Sequence, residues 1–273
     1  MRRENDAGDS LLEARLRDGL ARSGRGEVAT LYYLTPREQR RAERFLRSLG
    51  EWSNAYRFGG YADAERACLF LLPDYLSAML ESMSDASAAE VEALLQDWIG
   101  DAVCAVRILG SGYRVLTHRD YLGSILALGL ERDAFGDIAV QDEREAILFC
   151  TRRMADFLCE NLTHVASDCV KCTPYVLDEQ FTDGRKYRAI HDTVASPRLD
   201  CVVAALTNLS REAAQSAVRE GRVEVEFEPV EEIDFVLSPP VTLSIRGYGR
   251  FILRSFDGET RKGRLRMRAD QLI

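Results

Sequence analysis

The chain has 273 residues, of which 46% are hydrophobic and 29% charged, which is the composition of a globular protein with room for two or three small domains. Its formal net charge of −8 at pH 7 excludes indiscriminate coating of nucleic acid, because non-specific binding is chiefly phosphate neutralisation. No apolar run approaches the length of a membrane span and residues 1–10 lack the apolar core of a signal peptide, so we expect a cytoplasmic protein without membrane contact.

Residues 1–84 are predicted to form an N-terminal α/β domain. Ser10 and Glu13 have the spacing of a capping box, which predicts a helix over residues 10–22 after a disordered start. Thr35 and Glu38 have the same spacing and predict a second helix. One face of this second helix is basic and is a candidate secondary RNA contact, with a solvated charged face as the alternative: Arg37, Arg40, Arg41 and Arg44.

Two strands are predicted next, at residues 54–58 and 67–72, with the loop FGGYADAER between them. Gly59 and Gly60 suit a turn with positive φ. No Lys-Ser/Thr or helix-opening fingerprint follows them, so a structural turn is favoured over a phosphate-binding loop. A Ser- and Ala-rich stretch at residues 82–89 is the predicted domain boundary.

The middle domain, residues 85–180, shows a regular alternation of strands and helices. The predicted order is βαββαβ, with strands at 103–109, 138–141, 146–150 and 169–177 and helices at 118–128 and 152–162. This order suggests a ferredoxin-like sandwich, the topology that RNA-recognition motifs also use. Such motifs stack bases on aromatic residues of the central strands, but the third strand offers only Phe149 and the first offers none.

The segment THRDYLG contains His-Arg-Asp, which is similar to a protein-kinase catalytic loop. The loop's later Asn and the glycine-rich loop with its strand Lys are missing, so the kinase interpretation fails. Thr117 and Asp120 instead predict an N-cap pair. His118 and Arg119 are then exposed in the first helical turn, and Arg119 is a further candidate secondary RNA contact.

Seven cysteines are scattered through apolar positions, which is typical of small buried side chains in a reducing compartment. Cys169 and Cys172 have zinc-knuckle spacing, but there is no second CxxC or His pair to complete four ligands. Strand alternation would also point the two thiols to opposite faces. We expect no metal and no cofactor.

The C-terminal region, residues 190–273, begins with two short amphipathic helices. In the second helix, Ser210 is the predicted N-cap and Gly221 the predicted end. Four polar residues recur on one face of it: Arg211, Gln215, Arg219 and Arg222. A row of guanidinium groups suits a phosphate backbone, because each group grips phosphate bidentately and a helix holds their spacing. A solvated charged face is the alternative.

The pattern RLD followed by SRxxAQxxVxxGxVxV resembles the S-four RNA-binding domain, and residues 243–251 resemble its closing strand. The matching positions are Arg198, Leu199, Asp200, Ser210, Arg211, Ala214, Gln215, Gly221, Arg222, Val223 and Val225. The resemblance and the arginine row of the second helix together predict a set of RNA-binding residues: Arg198, Ser210, Arg211, Gln215, Arg219, Arg222, Arg246 and Arg250.

One departure from that domain concerns charge. Where basic residues and Asn are usual after the V-x-V strand, this chain has Glu224, Glu226 and Glu228. Residues 196–256 contain seven Arg and nine Asp or Glu, so this region has no net positive field to attract RNA. RNA binding must therefore depend on short-range contacts of individual side chains. The runner-up interpretation is that this acidic strand binds a basic protein partner and that the arginine row is incidental.

Arg198-Leu-Asp200 also resembles the RLD signature of pseudouridine synthases, in which the Asp attacks uracil. No synthase-type Gly-Leu-Leu run follows, so an RNA-modifying enzyme is the weaker alternative.

The tail after residue 256 is predicted to begin with a tight turn at Asp257-Gly258. A strand should follow, with Leu265 and Met267 on its apolar side. Its other side carries three candidate secondary RNA contacts, with a solubilising surface strand as the alternative: Arg264, Arg266 and Arg268.

FGGYADAER, THRDYLG, the GDI of residues 136–138 and the S-four-like region together resemble the YlmH family across nearly the whole chain. The resemblance implies a non-catalytic RNA-binding protein of the α+β class. It also implies ribosomal RNA, tRNA and the large ribosomal subunit as partners, with a role in rescue or quality control of obstructed ribosomes.

Overall fold

The computed structural model describes residues 2–83, 87–177 and 181–273. Helices are interspersed with several separate sheets, so the architecture is mixed α and β, as predicted. The chain divides into two compact units, Met1–Gly184 and Arg185–Ile273. In the described ranges, no helix is long and apolar enough to cross a membrane. The predicted boundary at residues 84–85 lies outside the described residues, and the division into 1–84, 85–180 and 190–273 stays a prediction.

The first unit begins with a three-stranded antiparallel sheet in the order β1-β3-β2. The elements of this part are α1 (Arg2–Ser23), β1 (Ala29–Leu34), α2 (Pro36–Leu49), β2 (Ala55–Phe58), β3 (Ala67–Leu71), α3 (Asp74–Ser82), α4 (Ala88–Leu94) and α5 (Gln96–Ala102). α1 and α2 contribute Leu16 and Leu46 to a core that also contains Leu71 of β3.

The capping box of α2 is confirmed. Thr35 Oγ1 accepts a hydrogen bond from the Glu38 amide at 3.3 Å, and the Glu38 carboxylate accepts one from the Thr35 amide at 2.8 Å. The cap predicted for α1 is wrong, because this helix already begins at Arg2 and Ser10 lies inside it. No proline interrupts residues 2–9, so the helix can extend in that direction. β1 is not among the predicted strands.

The second sheet of this unit has five strands in the order β5-β6-β4-β8-β7, all paired antiparallel. Its elements are β4 (Cys104–Gly110), α6 (His118–Ala127), β5 (Phe135–Val140), β6 (Glu145–Cys150), α7 (Arg152–Asn161), β7 (His164–Val165) and β8 (Asp168–Tyr175). These bounds agree with the predicted segments to within a few residues. The predicted capping box at the start of α6 is also confirmed, with the Thr117 amide donating to Asp120 at 2.8 Å.

Both faces of this five-stranded sheet are covered. One face packs against α6 and α7 through Ile125 and Leu158. Phe149 belongs to the other face and shares a core with Phe70 of β3. Phe149 is 0% exposed, so it cannot stack on a base without a rearrangement of this core.

The second unit is a six-stranded antiparallel sheet with two helices packed on it. Its elements are β9 (Tyr187–Val194), α8 (Leu199–Thr207), α9 (Arg211–Arg219), β10 (Val223–Val225), β11 (Glu228–Pro229), β12 (Val241–Ile245), β13 (Gly249–Glu259) and β14 (Leu265–Leu272). The strand order is β11-β10-β12-β13-β14-β9. Val203 of α8 and Val218 of α9 pack with Leu243 and Phe251 of the sheet, which holds both helices against one face.

The turn predicted at Asp257-Gly258 is wrong. β13 continues through both residues to Glu259, and the turn follows at residues 260–264, where the Gly263 amide donates to the Thr260 carbonyl at 2.9 Å. Two register shifts in the pairing of β13 with β14 accommodate the extra residues. β14 therefore lies between β13 and β9, and β9 is not among the predicted strands.

Candidate nucleic-acid interface

Helix α9 carries exposed basic side chains and is held in place by an N-cap and by buried residues on its inner side. Ser210 is its N-cap, as predicted, and its Oγ accepts a hydrogen bond from the backbone N–H three residues on at 3.2 Å. Ala214 and Val218 are fully buried and fix the inner side of the helix. Arg211 and Arg219 are exposed on the other side and, eight residues apart, are separated by roughly 12 Å along the helix axis.

Asp200, at the start of α8, connects several of the predicted residues. Arg198 donates to its carboxylate from Nε at 3.1 Å and from Nη2 at 3.3 Å. Gln215 of α9 donates to the same carboxylate at 2.8 Å. Arg211 Nε lies 3.7 Å from Asp200 Oδ2. The carboxylate thus brings together one side chain from the residue before α8 and two from α9.

The Asp200 side chain is 0% exposed, and burial on its own favours the neutral form of a carboxyl group. Burial raises the pKa of this carboxyl, but the hydrogen bonds from Gln215 and Arg198 outweigh it, so the net pKa lies below its usual value. The hydrogen bond to Asp200 in turn raises the pKa of Arg198. The buried carboxylate is therefore charged at neutral pH and orients the donors around it.

This geometry does not suit a nucleophile. An attacking carboxylate needs one oxygen that reaches the substrate, whereas both oxygens of Asp200 accept hydrogen bonds and neither is exposed. The arrangement holds neighbouring side chains in place instead.

The other predicted RNA-binding residues lie at two further places. Arg222 follows α9, forms an ion pair with Glu220 at 2.9 Å, and accepts a backbone hydrogen bond from Arg246 at 2.9 Å. Arg250 of β13 pairs with Ser244, outside the core face of the sheet, and its guanidinium lies 5.2 Å from the centre of the Phe227 ring. The structure therefore groups Arg198, Arg211 and Gln215, and separately Arg222 and Arg246.

The arginines of the tail have different surroundings. Met267 is buried while Arg266 and Arg268 are exposed, so the predicted alternation along β14 is confirmed. Arg268 forms an ion pair with Asp257. Arg264 precedes the strand and donates to Thr193 Oγ1 at 2.9 Å. Arg264 and Arg268 thus have structural partners within the unit.

The secondary candidates of the first unit are on two helices. Arg40 and Arg44 of α2 are exposed, whereas Arg37 and Arg41 are partly buried. Arg119 is exposed in the first turn of α6, where the sequence predicts it.

The predicted acidic strand is a hairpin. β10 ends at Val225, and Glu226 and Phe227 form a two-residue turn with φ of 51° and 66° before Glu228 begins β11. Glu228 pairs with the buried Val225, so it lies on the face opposite Glu224. The three glutamates therefore do not share one face, and the Glu226 carboxylate accepts a hydrogen bond from the Thr242 amide.

The CxxC pair is split between two faces. Cys172 is buried and Cys169 is exposed, with its Sγ 3.3 Å from His164 Nε2. Across residues 2–83, 87–177 and 181–273 there is no group of three or more His, Cys, Asp or Glu side chains that could hold a metal ion.

The role of Asp200 as an anchor is not predicted from the sequence. The RLD motif is a signal for it, but Gln215 lies fifteen residues away and only the packing of α8 on α9 brings the two side chains together. Arg254 is another basic residue outside the predicted set, and its Nε donates to Asp270 at 2.7 Å.

Comparisons with known proteins identify relatives. Residues 109–179 match the family described as "Putative RNA-binding domain in YlmH". A Bacillus subtilis (strain 168) protein, "Ribosome-associated protein quality control protein P2", is 31% identical over 209 residues, which cover 77% of this chain and 74% of that protein. Among solved structures, "Cell division protein ylmH from Streptococcus pneumoniae" has a TM-score of 0.46 and 16% identity, covering 66% of this chain and 94% of that one. On the sequence identity and coverage of the Bacillus relative, the chain belongs to the YlmH family.

Proposed function

We propose that this chain is a cytoplasmic, non-catalytic RNA-binding protein that recognises structured ribosomal RNA, and also tRNA, through α9. It acts on the large ribosomal subunit, in translation or in rescue and quality control of obstructed ribosomes. The name of the Bacillus relative and the family match over residues 109–179 support the ribosome and RNA as partners. The observation that carries the site is the pair of exposed arginines, Arg211 and Arg219, on a capped helix next to the Asp200 anchor.

Two modules are part of the proposal. The strand order β5-β6-β4-β8 with α6 and α7 on one face supports a ferredoxin-like middle domain, with bounds near 85–180. The α8–α9 pair on a small antiparallel sheet supports an S-four-like module, which begins near residue 190. Because Phe149 is buried, RNA contacts of the middle domain are confined to its loops and helices, where Arg119 lies.

In this proposal, RNA is bound through short-range contacts with individual side chains and through the shape of the RNA, not through long-range electrostatic attraction. The module carries more acidic than basic residues between positions 196 and 256, so long-range attraction does not concentrate RNA around it. Guanidinium groups that are already oriented lose little freedom on binding and can each take two phosphate oxygens. The hydrogen bond to Asp200 orients the Arg198 guanidinium before RNA binds. Arg211, at the start of α9, lies close enough to the same carboxylate for its guanidinium to be oriented in the same way.

Co-sedimentation with purified bacterial large ribosomal subunits, followed by crosslink mapping of the RNA, tests this function. We expect the wild-type chain to sediment with the subunits and to crosslink through the second unit. Arg211→Glu/Arg219→Glu should abolish sedimentation. The matched control is Arg15→Glu/Arg25→Glu, which makes the same charge change at two exposed arginines outside the site. Equal sedimentation of the two double variants would contradict the proposal.

A second candidate function rests on the β10–β11 hairpin. Its turn presents Glu226 and Phe227, and Glu224, Glu228 and the following residues make this edge acidic. This edge suits a basic surface on a ribosomal or cell-division protein. In that case the hairpin, and not the arginines of α9, would be required for association.

A further inference from the structure

The loop between β4 and α6 exposes two apolar side chains, at residues 113 and 115. Tyr113 is 82% exposed and Val115 is 55% exposed. Among the aromatic residues that the structure describes, none is more exposed than Tyr113. Because most of each side chain lies outside the core, their apolar surface adds little to the hydrophobic stability of the fold and is open to a binding partner.

The backbone of this loop is fixed on both sides of Tyr113. Ser111 Oγ donates to the carboxylate of Asp168, which is 1% exposed, and accepts a hydrogen bond from the Tyr113 amide at 3.2 Å. On the other side, Leu116 is buried and its amide donates to the Glu143 carbonyl at 2.7 Å. The ring is therefore carried by an ordered segment, which loses less conformational freedom on binding than a flexible loop would.

The other aromatic rings of this part of the chain are less accessible. Residues 109–179, whose family match supports RNA binding, contain six aromatic residues: Tyr113, Tyr121, Phe135, Phe149, Phe157 and Tyr175. Tyr121, Phe135 and Phe149 are fully buried. Tyr175 is partly buried and Phe157 is 37% exposed. Because stacking on a base needs a ring face that is open to solvent, Tyr113 is the best placed of the six for it.

Basic side chains flank this loop, together with acidic ones. Arg119 is exposed in the first turn of α6. Arg144 lies beside the loop, because a Cβ atom built on Gly112 would be 3.8 Å from its Cδ. Arg114 donates from Nη2 to Asp120 at 3.3 Å. Two further acidic residues, between β5 and β6, are exposed: Asp142 and Glu143. Charge is thus nearly balanced around Tyr113, so the loop suits a contact with a base more than one with phosphates alone.

We infer that Tyr113 stacks on an unpaired base of the bound RNA, with Val115 extending the apolar surface and Arg119 and Arg144 near the adjoining phosphates. The inference rests on the proposed function and adds a base contact in the first unit, separate from α9. Unpaired bases of structured RNA lie in loops and bulges, where they can stack on exposed aromatic rings. A protein partner is disfavoured because one ring and one valine offer far less than the roughly 800 Å² per partner of a stable protein interface.

The first test measures the affinity for purified ribosomal RNA as a function of salt. Tyr113→Ala should weaken binding roughly tenfold, as for the loss of one stacked base, without changing Tm. The slope of log affinity against log salt concentration should not change, because no phosphate contact is lost. Tyr113→Phe keeps the ring and should bind as the wild type does. The matched control is Tyr75→Ala on α3, which removes another exposed tyrosine ring and should leave the affinity unchanged.

Equal affinities of the wild type and Tyr113→Ala would overturn the inference, while the proposed function would stand if Arg211→Glu/Arg219→Glu still abolished sedimentation. If Tyr113→Ala kept its affinity for purified RNA but sedimented less with large subunits, the loop would contact a ribosomal protein, which also overturns the base contact. If the wild type bound no ribosomal RNA, the inference and the proposed function would both fail.

The second test is ultraviolet crosslinking of the wild type to ribosomal RNA, followed by peptide mapping. A base stacked on Tyr113 should leave a crosslinked nucleotide on this residue, and the crosslink should be lost in Tyr113→Ala. Crosslinks confined to the second unit would overturn the base contact and would leave α9 as the site.

Discussion

The side-chain amide of Gln215 on α9 donates to the buried carboxylate of Asp200 on α8 at 2.8 Å. This bond links the two helices beneath the surface that carries Arg198 and Arg211. An acidic residue at the centre of a phosphate-binding surface opposes binding if only charge matters, but favours binding if it orients the arginines. The two effects have opposite signs, so a single substitution separates them.

Asp200→Asn is expected to weaken RNA binding severalfold. The variant removes a negative charge, which alone would tighten binding, but it loses charge-assisted hydrogen bonds that orient Arg198 and Gln215. It should also lower the free energy of unfolding by about 1–3 kcal/mol, because donors to a buried charged group lose their partner. Binding titrations with ribosomal RNA and denaturant unfolding measure the two effects. Tighter binding by the variant would show that Asp200 acts through charge alone.

The contribution of Asp200 to stability should depend on pH. Hydrogen bonds lower its pKa in the folded state, so its stabilising contribution is complete above the unfolded value of 3.8 and is lost as the pH falls through the lower folded pKa. We expect the difference in unfolding free energy between wild type and Asp200→Asn to be constant at neutral pH and to shrink below about pH 4. A difference that grows on acidification would mean that the folded-state pKa is raised instead.

Single substitutions along α9 should report individual phosphate contacts. The guanidinium groups of Arg211 and Arg219 are both exposed, and the proposed function assigns one phosphate contact to each. Arg211→Gln and Arg219→Gln should therefore each reduce the log–log salt slope of ribosome binding by about one unit. The change should be nearly neutral for stability at Arg219, which is exposed. Arg211→Gln should lower the free energy of unfolding slightly, because Arg211 Nε lies 3.7 Å from the buried Asp200 carboxylate. An unchanged slope for both variants would favour the acidic hairpin as the binding element.

Arg266 offers the cleanest test of the tail. Arg264 and Arg268 have partners within the unit, at Thr193 and Asp257, so their replacement mixes stability with binding. Arg266 is exposed on β14 and pairs with Thr193 only through the backbone register. If the tail contacts RNA, Arg266→Ser should reduce the slope of log affinity for ribosomal RNA against log salt concentration, and Tm should not change. Wild-type affinity and slope would limit the tail to a structural role.

The acidic hairpin can be tested while its turn is preserved. Glu226 bonds to the Thr242 amide and is left unchanged, whereas Glu224→Lys/Glu228→Lys reverses charge on both faces of the hairpin. If the hairpin borders RNA, the double variant should bind ribosomal RNA more tightly, because repulsion becomes attraction at short range. Weaker ribosome association would instead identify a basic protein partner at this edge.

Local signals along the chain predict local structure well. The capping residues Thr35, Thr117 and Ser210 each mark the start of a helix because the hydrogen bonds involved lie within four residues. The periodicity of α9 likewise predicts its exposed Arg211 and Arg219.

Features set by distant pairing are not predicted from the sequence. Asp257-Gly258 has the sequence of a turn, but pairing of β13 with β14 extends the strand across it. Glu226 alternates with its neighbours as in a strand, yet adopts a positive φ in a hairpin turn. Within the site, the predicted arginines are local, whereas the Asp200 contact depends on the packing of two helices.

The position of β14 has a consequence for how the second unit folds. Its first strand, β9, is the edge of the sheet that the structure describes and pairs there with β14, from Tyr187 opposite Leu272 to Val194 opposite Leu265. All other elements of the unit lie between these strands in sequence, so this contact closes the largest loop of the unit and is entropically the most expensive. During synthesis, α8 and α9 emerge well before the strand that completes the sheet beneath them. The arginine-bearing surface therefore acquires its final support only at the end of translation of this unit, and deletion of β14 would leave two strands, β9 and β13, with unpaired edges.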